Sequence, residues 1–170
     1  MLLAAVLAAG CRGKFVRPVN DAAVERTPAR VQRGSYLVNQ VTLCPVCHTT
    51  RAGDNMFLDG ERADAFLGGG NVYADKGLGT VWVPNLTPDP DTGLGRWKDD
   101  EILRAMRDGV SADGRFLNPL MPFHSYQHLA DEDARAIVAY LRTIPAYRQP
   151  RPRRRARASE RPRRGRAPSA

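Results

Sequence analysis

Residues 31–49 read VQRGSYLVNQVTLCPVCHT, an apolar-periodic run that ends in two thiols and an imidazole. Val31, Tyr36, Leu37, Val41 and Leu43 can share one broad apolar side, so the spacing predicts a helix over 31–43. Cys44, Pro45, Val46, Cys47 and His48 follow it directly as C-x-x-C-H, the attachment pattern of a c-type haem. The spacing has a chemical reason. Thiols three positions apart can each add to one of the two vinyl groups of a porphyrin as thioethers, and His48 then lies under the iron as its proximal ligand.

Three other readings compete for these residues. A thioredoxin-like redox pair also uses C-x-x-C, but it belongs with a βαβ pattern, and no parallel sheet can be read in this chain. A zinc site could join Cys44 and Cys47 to His124 and His128, which form H-x-x-x-H. Zinc fingers separate their two halves by roughly 12 to 15 residues, whereas seventy-six residues lie between Cys47 and His124. That reading also leaves His48 without a role. Two buried structural cysteines would make the adjacent histidine a coincidence. Haem accounts for the most residues.

A haem iron with protein ligands on both faces needs a second axial residue, and Met56, Met106, Met121, His124 and His128 are the candidates. Met106 falls on the inward side of a predicted helix, where methionine is usually core filler. Met56 follows His48 by only eight residues, a short reach to the opposite face. Met121 stands in Asn118-Pro119-Leu120-Met121-Pro122-Phe123, where two prolines prevent a helix and hold the backbone extended. Such a loop can project one thioether toward a metal. Met121 is placed first, with His124 open as a bis-histidine alternative and a loop methionine packed on the core as the plain one.

Outward from this motif, 170 residues allow one compact domain plus ends and exclude a large multidomain enzyme. Apolar residues at 42% and charged residues at 26% are ordinary for a globular chain. The net charge of +8 is unevenly placed: residues 148–170 hold ten Arg and one Glu, and residues 12–30 add +3, which leaves 31–147 at −4. Two more helices are expected. DDEILRAMRDG has Asp99 as an N-cap, Ile102, Leu103 and Met106 facing in and Gly109 as the stop; ADEDARAIVAYLRTIP places Ala134, Ile137, Val138 and Leu141 on one face, with Pro145 past its end. Between them and the motif, residues 53–97 are punctuated by Gly and Pro too often for more than a short strand over 80–83. So long an irregular stretch in a small domain needs an organising body, and a large bound group would be one.

The ends read differently. Residues 1–10, MLLAAVLAAG, are too short to span a membrane, which needs roughly 18 apolar residues, and suit an export signal; Cys11 after Ala8, Ala9 and Gly10 resembles a lipobox and would be the lipidated residue. Residues 12–30 show no apolar period and are expected to be a flexible linker. Residues 148–170 carry Arg, Pro, Ala and Ser with no large apolar side chain and are expected to be a disordered tail, solvated or docking electrostatically. The domain itself is placed at 31–147.

The blocks RGSYLVNQVTLCPVCHT, PNLTPDPDTGLGRW, EILRAMRDGVSADGR, LMPFHSY and LADEDARAIVAYLRTIP occur in that order over about 32–145. Together they resemble the mono-haem class I cytochrome c domains related to the cytochrome subunits of bacterial periplasmic alcohol, aldehyde and gluconate dehydrogenases. The resemblance implies an all-α cytochrome c fold, three main helices and long loops wrapped around one covalently bound haem c. It implies terminal helices that cross where Gly34, Tyr36 and Leu37 meet Tyr140 and Leu141. It maps the distal ligand of the Met-Pro pair onto Met121, opposite His48, with Cys44 and Cys47 as the covalent attachment. Such subunits often carry three haem domains; this chain has a single C-x-x-C-H. Lys98 and Ala130 stand where relatives often have Ser, so capping is expected to fall to Asp99 and Asp131.

The expected function is a periplasmic one-electron carrier rather than an enzyme, passing electrons from a dehydrogenase or other donor to another cytochrome or a terminal oxidase, with membrane anchoring through Cys11 and no nucleic acid. The alternative is an intracellular zinc-binding module with a basic nucleic-acid-binding tail. Asp89-Pro90-Asp91-Thr92-Gly93 lacks the spacing of a calcium loop and reads as a turn. Asn85-Leu86-Thr87 fits a glycosylation acceptor weakly and is expected instead to line the haem edge, with Trp82 or Trp97 near a propionate. Gly68, Gly69 and Gly70 open no helix and do not suit phosphate binding.

Overall fold

A computed structural model describes residues 18–51, 63–77 and 79–149. The expected export segment, Cys11, Met56 and the chain beyond Gln149 lie outside the described residues. Five α-helices and one two-stranded sheet follow in the order α1 (Pro28–Tyr36), α2 (Cys44–His48), β1 (Val72–Asp75), β2 (Gly79–Trp82), α3 (Asp99–Asp108), α4 (Phe123–Tyr126) and α5 (Asp131–Leu141). Among the described residues no helix is long and apolar enough to cross a membrane.

Helix α1 starts three residues before the expected position because Thr27 and Pro28 supply the start. The Thr27 hydroxyl accepts the Arg30 amide at 3.2 Å, and Pro28 opens the helix where no N–H is needed. The helix then widens into a π turn over Leu37–Val41, closed by the Thr42 amide on the Leu37 carbonyl at 2.8 Å. This extra residue breaks the 3.6 period on which the apolar side was read. Leu37 and Val38 are buried, whereas Val41 and Leu43 are about half exposed, and so is Tyr36, which lies under the Arg33 guanidinium.

The main packing is α1 across α5. Leu37 and Val38 meet Ala134, Ala136, Ile137, Val138 and Leu141, with Ile102, Leu103 and Met106 of α3 closing the same core. Gly34 sits at the crossing. A Cβ there would lie 2.8 Å from the Tyr140 Cβ and inside the Ala136 carbonyl. The expected crossing is present, with Ala136 as a partner that periodicity did not single out. Arg30 with Glu132 (2.9 Å) and Arg33 with Asp133 (2.8 Å) flank it, but these pairs are exposed and contribute little.

Two expectations about the ends of the domain are corrected. Residues 18–30 are not a free linker in their described part: Val24 is buried in the core, its amide donates to Asp99 at 2.7 Å, and the Asn20 amide donates to Asp100 at 2.8 Å. At the other end, the Tyr147 amide donates to Thr87 and the Gln149 amide to Thr92, each at 3.0 Å, so Arg148 and Gln149 belong to the domain rather than to a tail. Backbone hydrogen bonding, which leaves no hydropathy period, orders both segments.

Asp99 is not the N-cap of α3. Lys98 takes that position, and its amide donates to Glu101 at 2.8 Å. Asp99 is freed to accept from Arg142 (2.7 Å) as well as from Val24, and Arg142 also donates to the carbonyls of Leu94 and Trp97. The fold is also not strictly all-α: β1 and β2 pair antiparallel, with Val72 opposite Trp82 and Tyr73 opposite Val81, where a single short strand over 80–83 was expected. Asp89 does form a turn, accepting the Asp91 amide at 3.1 Å and the Thr92 amide at 2.6 Å.

Because the α1 and α5 backbones touch at Gly34, Gly34→Ala should lower unfolding free energy by about 1–3 kcal/mol or more. Guanidinium unfolding measures it. An unchanged midpoint would contradict the close crossing.

Candidate functional site

Helix α2 is the C-x-x-C-H motif itself. Leu43 enters it in the left-handed region (φ 51°), a conformation that costs a non-glycine residue of order 1 kcal/mol. That bend turns the chain out of the π turn and into α2, where Pro45 presets the first helical turn. Cys44 and Cys47 therefore project from one turn, three positions apart and both free, with the Cys44 sulfur 3.2 Å from the Thr42 hydroxyl. Burial pushes both thiols up from the ordinary cysteine range, opposed at Cys44 by the Thr42 hydroxyl and at Cys47 by the Arg51 charge.

His48 is buried, and its Nδ1 lies 2.8 Å from the Pro84 carbonyl oxygen. A carbonyl only accepts, so Nδ1 carries the proton and Nε2 keeps its lone pair. Nε2 makes no hydrogen bond among the described residues. Burial pushes the imidazole down from its ordinary range, with the Pro84 bond partly opposing, so the ring is held neutral. A neutral imidazole fixed by a carbonyl on one nitrogen and open on the other is the form that binds a metal.

The backbone around the motif is fastened to two irregular stretches. The Gly69 amide donates to the His48 carbonyl at 2.6 Å, and the Thr50 hydroxyl donates to the Gly69 carbonyl at 2.6 Å. Asn71 Nδ2 donates to the carbonyls of Cys47 and Thr49, each at 2.7 Å. Gly69 has φ 72°, and a Cβ there would lie 2.6 Å from the Pro84 oxygen. Pro84, Gly69, Thr50 and Asn71 escaped the sequence reading; the only signal they leave is a glycine run and polar residues in a stretch otherwise read as irregular.

Met121 is half-buried in a tight turn, its amide on the Asn118 carbonyl at 3.0 Å and its carbonyl accepting from Phe123 at 2.8 Å. Helix α4 follows at once and brings Tyr126 to the motif. Its hydroxyl donates to the Thr42 carbonyl at 2.9 Å; burial, with the thiols of Cys44 and Cys47 nearby, pushes its phenol up to about 12. Met106 is in the core, as a filler methionine should be. His124 and His128 are exposed, and among the described residues no three of His, Cys, Asp and Glu converge on a metal-holding position. The zinc alternative finds no assembled site. Trp97 is packed against the core and Trp82 is exposed on the hairpin. The Asn85 side chain is buried and its Nδ2 donates to the Tyr147 carbonyl at 2.6 Å, a placement that does not suit a glycosylation acceptor.

These features fit a haem. Two free thiols share a helical turn, the next residue offers Nε2, and large apolar side chains close in sequence to the motif and to Met121 are left uncovered: Val41 and Leu43 before Cys44, and Leu120 before Met121. Uncovered apolar side chains of this kind are what a flat porphyrin would cover.

A family model for cytochrome c matches residues 31–145. The chain belongs to the cytochrome c family. It is 40% identical over 109 residues to a subunit of the nicotinate dehydrogenase of Pseudomonas putida, covering 64% of this chain and 8% of that protein. It is 36% identical over 116 residues to the fructose dehydrogenase cytochrome subunit of Gluconobacter japonicus, covering 67% of this chain and 22% of that protein. A diheme cytochrome c-type protein of Cereibacter sphaeroides is 32% identical over 149 residues, 84% of this chain and 47% of that protein. The chain thus spans less than half the length of these relatives.

The Tyr126 phenol gives this cytochrome domain a pH dependence of known sign. Its burial holds the folded value above the unfolded value, which is about 10, so the unfolded chain releases the proton first and stability falls as the pH rises above that value. Tyr126→Phe should lose less stability over the same rise while being about 1 kcal/mol less stable at neutral pH. Unfolding midpoints at neutral and alkaline pH test both; parallel losses in the two proteins would contradict the assignment.

Proposed function

We propose that this chain is a haem-bearing electron carrier in which Cys44 and Cys47 hold the porphyrin by thioethers and His48 Nε2 and the Met121 sulfur are the axial ligands. One observation carries the reading: an imidazole tied by Nδ1 to the Pro84 carbonyl, with Nε2 disengaged, directly follows two free thiols on one helical turn. When bound, haem c supplies an iron that gains and loses one electron.

The residues of the chain do the rest. Pro84 fixes the ring and its tautomer, which strengthens Nε2 as a donor. Burial keeps the imidazole neutral, so no proton has to leave before it ligates. Met121 adds a neutral, soft sulfur, the ligand type that raises the potential of a histidine-ligated haem. With His48 and Met121 both holding the iron, the domain would offer no position to a substrate and would carry electrons.

A dehydrogenase is the proposed donor, and another cytochrome or a terminal oxidase the proposed acceptor. Several relatives are cytochrome subunits of dehydrogenases, which supports the first. Contact would be brief and small, as electron-transfer encounters are. A periplasmic location, with Cys11 as a lipid anchor, belongs to the same reading and is supported by the composition of residues 1–11.

Met121→Ala tests the ligand set. The oxidised protein should lose its sulfur-to-iron charge-transfer absorption and the ferrous protein should gain carbon monoxide binding, with haem still attached. Persistence of the band would exclude Met121.

A further inference from the structure

Three features remain unused by this function: the run Gly68-Gly69-Gly70, the buried side chain of Asn85, and the segment after α5, which continues past the matched cytochrome c region. They meet at one place. Asn85 follows Pro84, whose carbonyl holds His48. The Asn85 side chain is buried and fully engaged: Nδ2 donates to the Tyr147 carbonyl at 2.6 Å and to the Thr92 hydroxyl at 3.0 Å, and Oδ1 accepts the Thr87 amide at 2.8 Å.

The stretch after α5 closes the same loop. The Thr87 hydroxyl, fully buried, accepts the Tyr147 amide at 3.0 Å and lies 3.3 Å from the Tyr147 carbonyl, while Thr92 accepts the Gln149 amide. The glycine run is where these parts touch. A Cβ on Gly68 would enter the Tyr147 ring, one on Gly69 would strike the Pro84 carbonyl carbon at 2.5 Å, and one on Gly70 would meet Nε2 of the Gln149 side chain at 2.6 Å. Three adjacent residues without side chains thus let the strap 147–149 and the Pro84–Asn85 peptide pack on one backbone that also donates, from Gly69, to the His48 carbonyl.

We propose that Asn85, Thr87 and the strap 147–149 are positioning residues for the iron's histidine ligand, holding the Pro84 carbonyl against Nδ1 so that loosening the strap raises the reduction potential. The inference rests on the reading of His48 as an iron ligand. The sign follows from the hydrogen bond: a carbonyl on Nδ1 makes Nε2 a stronger donor, a stronger donor favours the more highly charged ferric iron, and a slackened bond favours ferrous iron. None of these residues is required to touch haem.

The test uses full-length protein matured with its haem and two variants at one site. Thr87→Val keeps the shape and removes the hydroxyl that grips Tyr147; Thr87→Ser keeps the hydroxyl. In a potentiometric titration Thr87→Val should shift the reduction equilibrium several-fold toward ferrous, a tenfold shift being about 59 mV for one electron, and Thr87→Ser should stay near wild type. Equal potentials in wild type and Thr87→Val, or equal shifts in both variants, overturn the proposal, because a purely structural role would alter stability alone. Hydrogen exchange on the wild type needs no variant to fold. If the strap holds the carbonyl, the Tyr147 amide and the His48 Nδ1 proton open together and show protection factors, each relative to its own intrinsic exchange rate, within about tenfold of each other; a wider gap, with Tyr147 the less protected, overturns it. Wild-type protein without haem would sink the functional reading and this inference with it, whereas attached haem and an unmoved potential sinks only the inference.

Discussion

The hydrogen bond from the buried His48 ring, Nδ1 to the Pro84 carbonyl at 2.8 Å, is the constraint on which the rest of the domain leans. An imidazole taken out of water without a partner would cost about 1–3 kcal/mol, so the motif and the irregular stretch 67–86 must come together for either to be stable. Gly69 makes this juxtaposition sterically feasible, since the backbone that receives His48 must pass against the carbonyl that holds it. The chemistry follows directly: the bond that lets the ring be buried is also the bond that leaves Nε2 available.

A second buried contact governs how the helices and the leading segment register around that site. The guanidinium of Arg142 is shared between the Asp99 carboxylate and the carbonyls of Leu94 and Trp97, and the other Asp99 oxygen accepts the Val24 amide. A buried ion pair gains little net stability because both charges lose water. Here its donors and acceptors are satisfied by backbone from two separate stretches, 94–97 and Val24, so its main effect is on placement: it fixes α3 against the end of α5 and seats residues 20–24 on the domain. The segment that hydropathy suggested was a tether is held by this contact.

Much of this was readable from residues alone, and the reasons for the remainder are specific. C-x-x-C-H announced its chemistry because covalent attachment demands a fixed spacing, and α3 and α5 announced themselves through apolar residues at helical intervals. Ile102, Leu103, Met106, Ile137, Val138 and Leu141 are buried as that pattern required. The pattern failed where another interaction overrode it. The π turn at Leu37–Val41 shifted the apolar face, so Val41 and Leu43 are exposed. Asp99 was drawn from capping to Arg142, and β1 was missed because a four-residue strand in a glycine-rich stretch is specified by its cross-strand partner rather than by its own composition. Pro84, Asn71 and Asn85 were missed for a common reason: they act through main-chain carbonyls or side-chain amides on carbonyls, which no residue type advertises.

The claim that most needs testing is that two sulfurs of this chain hold a porphyrin. Intact mass of the protein expressed with a cytochrome c maturation system and then denatured, read together with its visible spectrum, tests it directly. The account requires the polypeptide mass plus one haem, with the Soret absorption staying on the chain through acid-acetone extraction. A bare polypeptide mass with no Soret absorption would contradict it.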